Sequence, residues 1–288
     1  MTLEGGARCF GAATIINGIA TGLGASFGIG LRTDARVRLV NDPEHFKVTI
    51  RNDPGEDPTL AVQCVKGVLE RFGLNDRYGA DIETDSDIPI SRGLKSSSAA
   101  SNAIVLAVLE ALGERSSDMD VISMGIEASF RAGVTITGAF DDACASYFGG
   151  AVVTDNVQRR ILARYPLEEG LIVIVHVPEE KIRKRNVDTH RLSGLSPAIK
   201  AAHDLALKGD YRTGLMMNGL MYGAAMGLDT SIALKALEHG AMTAGISGTG
   251  PATVVLCGQQ NADAIVTALG GGHIIRTVTN DEKAGPIP

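Results

Sequence analysis

Short stretches in which every second residue is apolar alternate along this chain with longer ones in which apolar residues recur every three or four. Arg36-Val37-Arg38-Leu39-Val40 and Phe46-Lys47-Val48-Thr49-Ile50-Arg51 alternate polar and apolar side chains, as strands with one buried face do. Asn41-Asp42-Pro43 between them is a turn signal, so the two are expected to form a hairpin. Thr14-Ile15-Ile16 predicts a short strand from its β-branched residues. Over 58–72, Val62, Val65, Val68, Leu69 and Phe72 recur at helical spacing and Gly73 ends the run. A strand over 78–83 follows. The helix predicted over 99–112 is apolar almost all round, which implies burial against a sheet. Another helix is expected over 119–132, capped by Asp118. Val134-Thr135-Ile136-Thr137 and Ala151-Val152-Val153-Thr154 are expected as strands on either side of Gly138-Ala139-Phe140-Asp141-Asp142.

In the second half, the continuous apolar run 171–177 predicts a buried strand. Ser196-Pro197 opens a helix in N-cap/N1 order. Helices over 211–226 and 230–239, a strand over 253–257, a helix over 262–269 and a strand over 274–278 complete the pattern. Helices and strands mix without strict alternation, which predicts an α+β fold and not a doubly wound parallel sheet. A composition shift across 155–169 is expected to divide domain 1–158 from domain 159–288, in keeping with a length of 288 residues.

Composition narrows the class. The chain is 44% hydrophobic and 21% charged, ordinary for a globular protein. A net charge of −6 argues against a general nucleic-acid binder, and the absence of Trp argues against a base-stacking platform. Cys9, Cys64, Cys144 and Cys257 lie far apart, which suits a reducing cytosol, and no Cys/His cluster suggests structural zinc. Residues 9–31 carry no charge and are numerous enough to span a bilayer. They also contain Gly11, Gly18, Gly22, Gly24, Gly28 and Gly30 with Thr14, Asn17, Thr21 and Ser26, a mixture that predicts strand–loop–strand instead. A soluble, cytoplasmic protein without membrane or nucleic-acid partners is expected.

Three places could carry chemistry. Pro89-Ile90-Ser91-Arg92-Gly93-Leu94-Lys95-Ser96-Ser97-Ser98-Ala99 puts a glycine, a cation and a serine run at the mouth of a helix. Backbone N–H groups and the helix dipole favour an anion there, although a serine cap after a glycine turn has the same composition. Gly245-Ile246-Ser247-Gly248-Thr249-Gly250-Pro251 suits either a backbone nest for an anion or a tight connection into the next strand. Asp141-Asp142 at the end of a short strand suits a turn, or a base with a neighbouring metal contact. Glu127 stands four residues before Arg131, the spacing of an exposed ion pair. The basic run 181–185 suits a solvated surface.

Taken together, these motifs carry a resemblance. Pro89–Ala100 resembles the second motif of the GHMP kinases (galacto-, homoserine, mevalonate and phosphomevalonate kinases), P-x-x-x-G-L-x-S-S-A. Gly245–Ala252 is similar to their third, glycine-rich motif, and Gly138-Ala139-Phe140-Asp141 to the segment that bears their catalytic aspartate. Within that superfamily the chain most resembles the archaeal-type shikimate kinases, through residues 11–21, 88–102 and 134–146. The resemblance implies an N-terminal half like domain 2 of ribosomal protein S5 and a ferredoxin-like C-terminal half. It also implies phosphorylation of the shikimate 3-hydroxyl by ATP with Mg²⁺, on the route to chorismate and the aromatic amino acids. Homoserine or mevalonate kinase is the alternative.

Carried onto this sequence, the resemblance makes Asp141 the catalytic acid and has residues 89–99 with Gly248, Thr249 and Gly250 hold ATP. Ser97 and Glu127 become metal ligands. Two departures stand out: Lys95 replaces a glycine found in many members, and Leu23 lies where the first motif of mevalonate kinase carries a lysine. Lys95 is therefore expected to supply the missing charge as a second catalytic group. An acceptor carboxylate needs a cationic partner, for which Arg131, Arg183 and Arg185 are the candidates.

Overall fold

The computed structural model describes residues 3–89, 93–135, 137–178 and 192–287. Two long antiparallel strands, β1 (Glu4–Ile16) and β2 (Leu23–Val40), account for the uncharged stretch near the start. Their apolar and small residues are buried because helices cover them. Among the described residues no helix is long and apolar enough to cross a membrane.

The expected hairpin between 36–40 and 46–51 does not form. Strand β4 (Gly79–Ser86) lies between β2 and β3 (Phe46–Ile50), antiparallel to the first and parallel to the second. The burial patterns explain the choice. Every second residue of β3 is exposed, as suits an edge, whereas β4 is mostly buried and takes the inner place. Helix α1 (Thr59–Arg71) makes the crossover that a parallel pair requires.

Helix α2 (Ser96–Leu112) starts on the serine run and packs across β1 and β2, buried on most sides as its composition predicts. Helix α3 (Asp118–Arg131) is capped by Ser117, which accepts from the Asp120 N–H, and not by Asp118. No strand forms over 134–137 among the described positions; Val134 is exposed, and the Thr135 hydroxyl accepts from the Gly138 N–H. With no neighbouring strand to pair with, its β propensity has nothing to act on. The chain enters α4 (Phe140–Phe148) instead. Strand β5 (Ala151–Asp155) pairs with the first residues of β2, and β6 (Arg160–Tyr165) pairs with β5.

Beyond them lies a four-stranded antiparallel sheet of β7 (Ile172–Val177), β8 (Thr243–Ile246), β9 (Thr253–Cys257) and β10 (His273–Val278), in the order β10-β7-β9-β8. Helices α5 (Ser196–Leu207), α6 (Tyr211–Met226) and α7 (Ser231–Glu238) connect β7 to β8, and α8 (Gln259–Leu269) connects β9 to β10. This is the ferredoxin-like arrangement, with first-strand neighbours fourth and third. Leu195, not Ser196, caps α5; the Ser196 hydroxyl donates to the Ala20 carbonyl.

The expected division at 158/159 falls in the turn between β5 and β6, so the strand that follows it still belongs to the first sheet. The end of the chain also returns there, as β11 (Gly285–Pro286) on the edge of β1. One apolar core runs from β1 and α2 through to Val173, Ile199, Leu215 and Tyr222, and a smaller one lies under α7 and α8.

Strand β1 approaches α2 closely at Gly5, where a methyl group would lie 2.2 Å from the Ala107 carbonyl oxygen and 2.5 Å from the Ala111 nitrogen. Both are backbone atoms of α2 and cannot turn aside. Gly5→Ala should therefore cost ~1–3 kcal/mol or more of stability, read from urea unfolding, with the denaturant slope unchanged. An unaltered midpoint would mean that α2 can lift from β1 freely.

Candidate active site

The mouth of α2, the loop after β8 and the start of α4 meet beside β1. Gly93 has φ +79 and lies so close to the glycine loop that a methyl group there would sit 2.5 Å from the Ser247 carbonyl oxygen. The Ser247 hydroxyl donates to the Gly93 carbonyl at 2.8 Å and accepts from the Thr14 N–H at 3.1 Å. The Thr14 hydroxyl accepts from the Gly248 N–H at 2.9 Å, and the Asn17 amide donates to the Gly248 carbonyl at 2.8 Å. Strand β1 thus ties the two loops together. The Gly250 N–H donates to the Ser247 carbonyl and closes the turn, which leaves Thr249 exposed at its tip.

Lys95 caps α2 in a left-handed conformation, φ +63, and no side chain caps the helix. The N–H groups of Ser96, Ser97 and Ser98 lie in the first turn, where a helix has no carbonyls of its own to offer. The left-handed turn sends the Lys95 ammonium back over the loops: a methyl group on Gly248 would be 3.0 Å from it. Its partner is Asp142, at 3.1 Å. Leu94 is fully buried and Pro89 partly so, anchoring the approach; Ile90, Ser91 and Arg92 lie outside the described residues.

Asp141 and Asp142 occupy the first turn of α4, not the end of a strand, so the helix dipole favours their charge. Ala139, also left-handed at φ +43, turns the chain into that helix. Only 4% of Asp141 and 9% of Asp142 is exposed. The Ser26 hydroxyl lies 3.1 Å from Asp141 Oδ2 and 2.8 Å from Asp142 Oδ1, and its single proton can serve one at a time. Asn156 donates to Asp141 Oδ1 at 2.8 Å. Burial, and then the neighbouring Asp142 carboxylate, push the Asp141 carboxyl up to about 7, against the opposing pull of Lys95, Asn156 and Ser26. A carboxyl in that range can hold or release a proton near neutrality.

Glu127 and Arg131 do not pair with each other. Glu127 binds Arg159 of the β5–β6 turn at 2.7 Å, and Arg131 binds Glu70 of α1 at 2.6 Å. The i,i+4 spacing loses because each side chain finds an opposite charge on a neighbouring element. Arg131 therefore faces α1, while Arg183 and Arg185 lie outside the described residues. Among the described residues no three His, Cys, Asp or Glu side chains gather closely enough to hold a metal. Ser26, Asn156, Thr14 and Asn17 complete the site and have no role assigned from the sequence; Ser247 lies in the glycine-rich stretch that does. The available signal was polar residues inside an otherwise apolar strand: Thr14 and Ser26 are almost wholly buried.

Residues 59–150 match the family model described as GHMP kinases N terminal domain. Over its length the chain is 43% identical to a shikimate kinase of Methanothrix thermoacetophila, covering 98% of this chain and 96% of that one. It is 42% identical to a shikimate kinase of Methanococcoides burtonii, covering 98% of each. Among solved structures it resembles a homoserine kinase of Cytophaga hutchinsonii, with TM-score 0.74 at 18% identity over 98% of this chain and 97% of that one. A Lactococcus lactis galactokinase has TM-score 0.76 at 16% identity, over 99% of this chain and 95% of that one. At such identities the structural likeness speaks for the fold, and the full-length relatives for the family. The chain has the GHMP kinase fold and belongs to the shikimate kinase family.

Proposed function

We propose that the protein transfers the terminal phosphoryl group of ATP to the 3-hydroxyl of shikimate, giving shikimate 3-phosphate and ADP. The observation that carries this reading is the position of Lys95, whose ammonium lies between the glycine loop at Gly248 and the buried acid at Asp142. An anion-binding mouth and the buried acid pair then share one cation. The acceptor follows from the full-length similarity to shikimate kinases.

On this reading the amides of residues 93–99 and 248–250 receive the phosphates. Lys95 keeps one ammonium proton on Asp142 and turns the others to phosphate oxygens. Asp141 accepts the proton of the acceptor hydroxyl as the oxygen attacks phosphorus, and ADP leaves. Positioning and charge neutralisation do most of the work in such a transfer. Mg²⁺ commonly takes one or two protein oxygens beside the phosphates and keeps several waters, so a three-carboxylate cage is not required. When bound with ATP it neutralises phosphate charge. Ser97, half-buried in the first turn of α2, and Glu127 are the proposed oxygens. Glu127 must then give up Arg159; both are exposed, so that exchange costs little.

A coupled ADP-release assay should show turnover that depends on shikimate and Mg²⁺. Preference for homoserine or mevalonate over shikimate would overturn the choice of acceptor. Asp141→Asn should lower kcat by ~10²–10⁴ and leave ATP binding nearly intact. Because the base must be ionised, kcat/KM should rise with pH through about 7. An acid limb near 4 would mean that the substrate-free geometry does not govern the reacting enzyme.

The same carboxyl affects stability. Its folded pKa is above its ordinary value of 3.8, so its contribution is fully present below pH ~4 and is lost as the pH rises through about 7. Asp141→Asn avoids that loss and should raise stability at pH 8 by up to ~4 kcal/mol, read as a higher thermal midpoint, with the gap closing toward pH 4. Equal midpoints across that range would show that Asp141 ionises without strain. Glu127→Gln should raise the Mg²⁺ concentration needed for half-maximal rate; an unchanged Mg²⁺ dependence removes Glu127 from the metal site.

A further inference from the structure

We infer that Asn156, held in place by Thr154, is a positioning residue that fixes the orientation of the Asp141 carboxylate and leaves Oδ2 as the oxygen that takes the acceptor's proton. This rests on the proposed role of Asp141 as the base. Asn156 grips residue 141 at two points: Nδ2 donates to Oδ1 at 2.8 Å, and the Asp141 N–H donates to Asn156 Oδ1 at 3.1 Å. The Thr154 hydroxyl, wholly buried, donates to the same Asn156 Oδ1 at 2.7 Å. With two donors aimed at that oxygen the amide has one sensible orientation, with its NH₂ toward the carboxylate.

The cup around Asn156 leaves no room for another. A methyl group on Gly18 would lie 2.7 Å from Asn156 Nδ2, and one on Gly24 would lie 2.7 Å from both that atom and Asp141 Cγ. The Asn156 N–H donates to the Gly22 carbonyl at 2.8 Å. Behind Thr154 lies the buried His203 of α5. The glycines between β1 and β2 thus let an amide stand beside the acid.

The chemistry follows from donors and acceptors. An amide NH₂ offers no lone pair to an O–H, so a proton on Oδ1 would oppose the Asn156 contact. Protonation is directed to Oδ2. That oxygen has the weaker of the two Ser26 contacts, since the hydroxyl is nearer Asp142. The other titratable groups facing Asp141 are Asp142 and Cys144 on its own helix, Lys95 at the mouth of α2, and Tyr222 of α6. None of these donates to Oδ1 among the described contacts.

The test uses the full chain, with Asn156→Ala and Thr154→Val, the second being nearly isosteric and removing the hydroxyl, which is 2.7 Å from Asn156 Oδ1 and 3.2 Å from the Gly24 carbonyl. The readouts are a ¹³C carboxyl titration of aspartate-labelled protein, with Asp141 assigned by its loss in Asp141→Asn, and the pH profile of shikimate-dependent ADP release. Removing the amide donor should move the Asp141 midpoint upward, and the acid limb of kcat should move with it. At pH 7 kcat should fall about 10–100-fold for Asn156→Ala and less for Thr154→Val, with KM for ATP unchanged and part of the rate recovered at higher pH. A purely structural role would lower the rate equally at every pH and leave the carboxyl midpoint in place, and that result in either folded variant overturns the inference. The titration does not depend on turnover. If the wild-type protein fails to phosphorylate shikimate, the proposed activity falls, while the carboxyl midpoint still decides the role of Asn156.

Discussion

Two carboxylates and one ammonium are sealed together at the meeting of α2 and α4, and this imbalance governs the site. Asp142 takes the direct contact with Lys95, and Asp141 is left with neutral donors. In a poorly solvated space a second full negative charge is expensive, so it is Asp141 that holds its proton toward neutral pH. Two left-handed residues that are not glycine, Lys95 and Ala139, turn the chain into the two helices concerned. Such conformations are uncommon outside glycine and persist where the surroundings over-determine them.

The frame that makes this possible is β1. Its Thr14 and the next residue beyond its end, Asn17, bind the loop of the second sheet; the Asn17 N–H also donates to Asn218 Oδ1 of α6, and its carbonyl accepts from the Tyr222 hydroxyl. The proposed anion-binding surface is therefore built across the two sheets, with no seam at the site. Opening the halves at this point would break the Ser247–Gly93 and Thr14–Gly248 contacts together. The continuous apolar core says the same of the packing.

Helices with one clear apolar stripe, such as α1, and those that are apolar throughout, such as α2, were legible in the sequence, and so were the strands β7 and β9. Helix α4 was not. All nine of its residues are buried, so it lacks the polar side from which helical periodicity is read, and its two aspartates look like a turn. Strand β6 has clear alternation, with Arg160, Leu162 and Arg164 set against Ile161, Ala163 and Tyr165, but it lies within the composition shift across 155–169 from which the domain division is read. Strand β8 is four residues long and contains Gly245, which is pressed against Gly219 of α6, so that glycine of the third motif permits close packing. The motifs located the acid and the loops because glycine, serine and adjacent aspartates are unusual in combination. Ser26 and Asn156 were invisible because their importance comes from contacts 115 and 15 residues away.

The place of Lys95 also bears on the lysine missing from the first motif. Gly24 is the residue of β2 that faces Asp141, so a side chain at position 23 points to the other face of the strand. Lys95 arrives from the mouth of α2 and touches Asp142. On the proposed reading, phosphate oxygens that settle at the mouth of α2 compete with the acid pair for this one positive charge. As the ammonium turns toward phosphate, Asp142 loses part of its compensation and its field on Asp141 strengthens. The affinity of Asp141 for a proton then rises when the acceptor hydroxyl has one to give. Nucleotide binding and base strength are coupled through a single side chain, which an arrangement with separate cations for the phosphate and for the acid would not achieve.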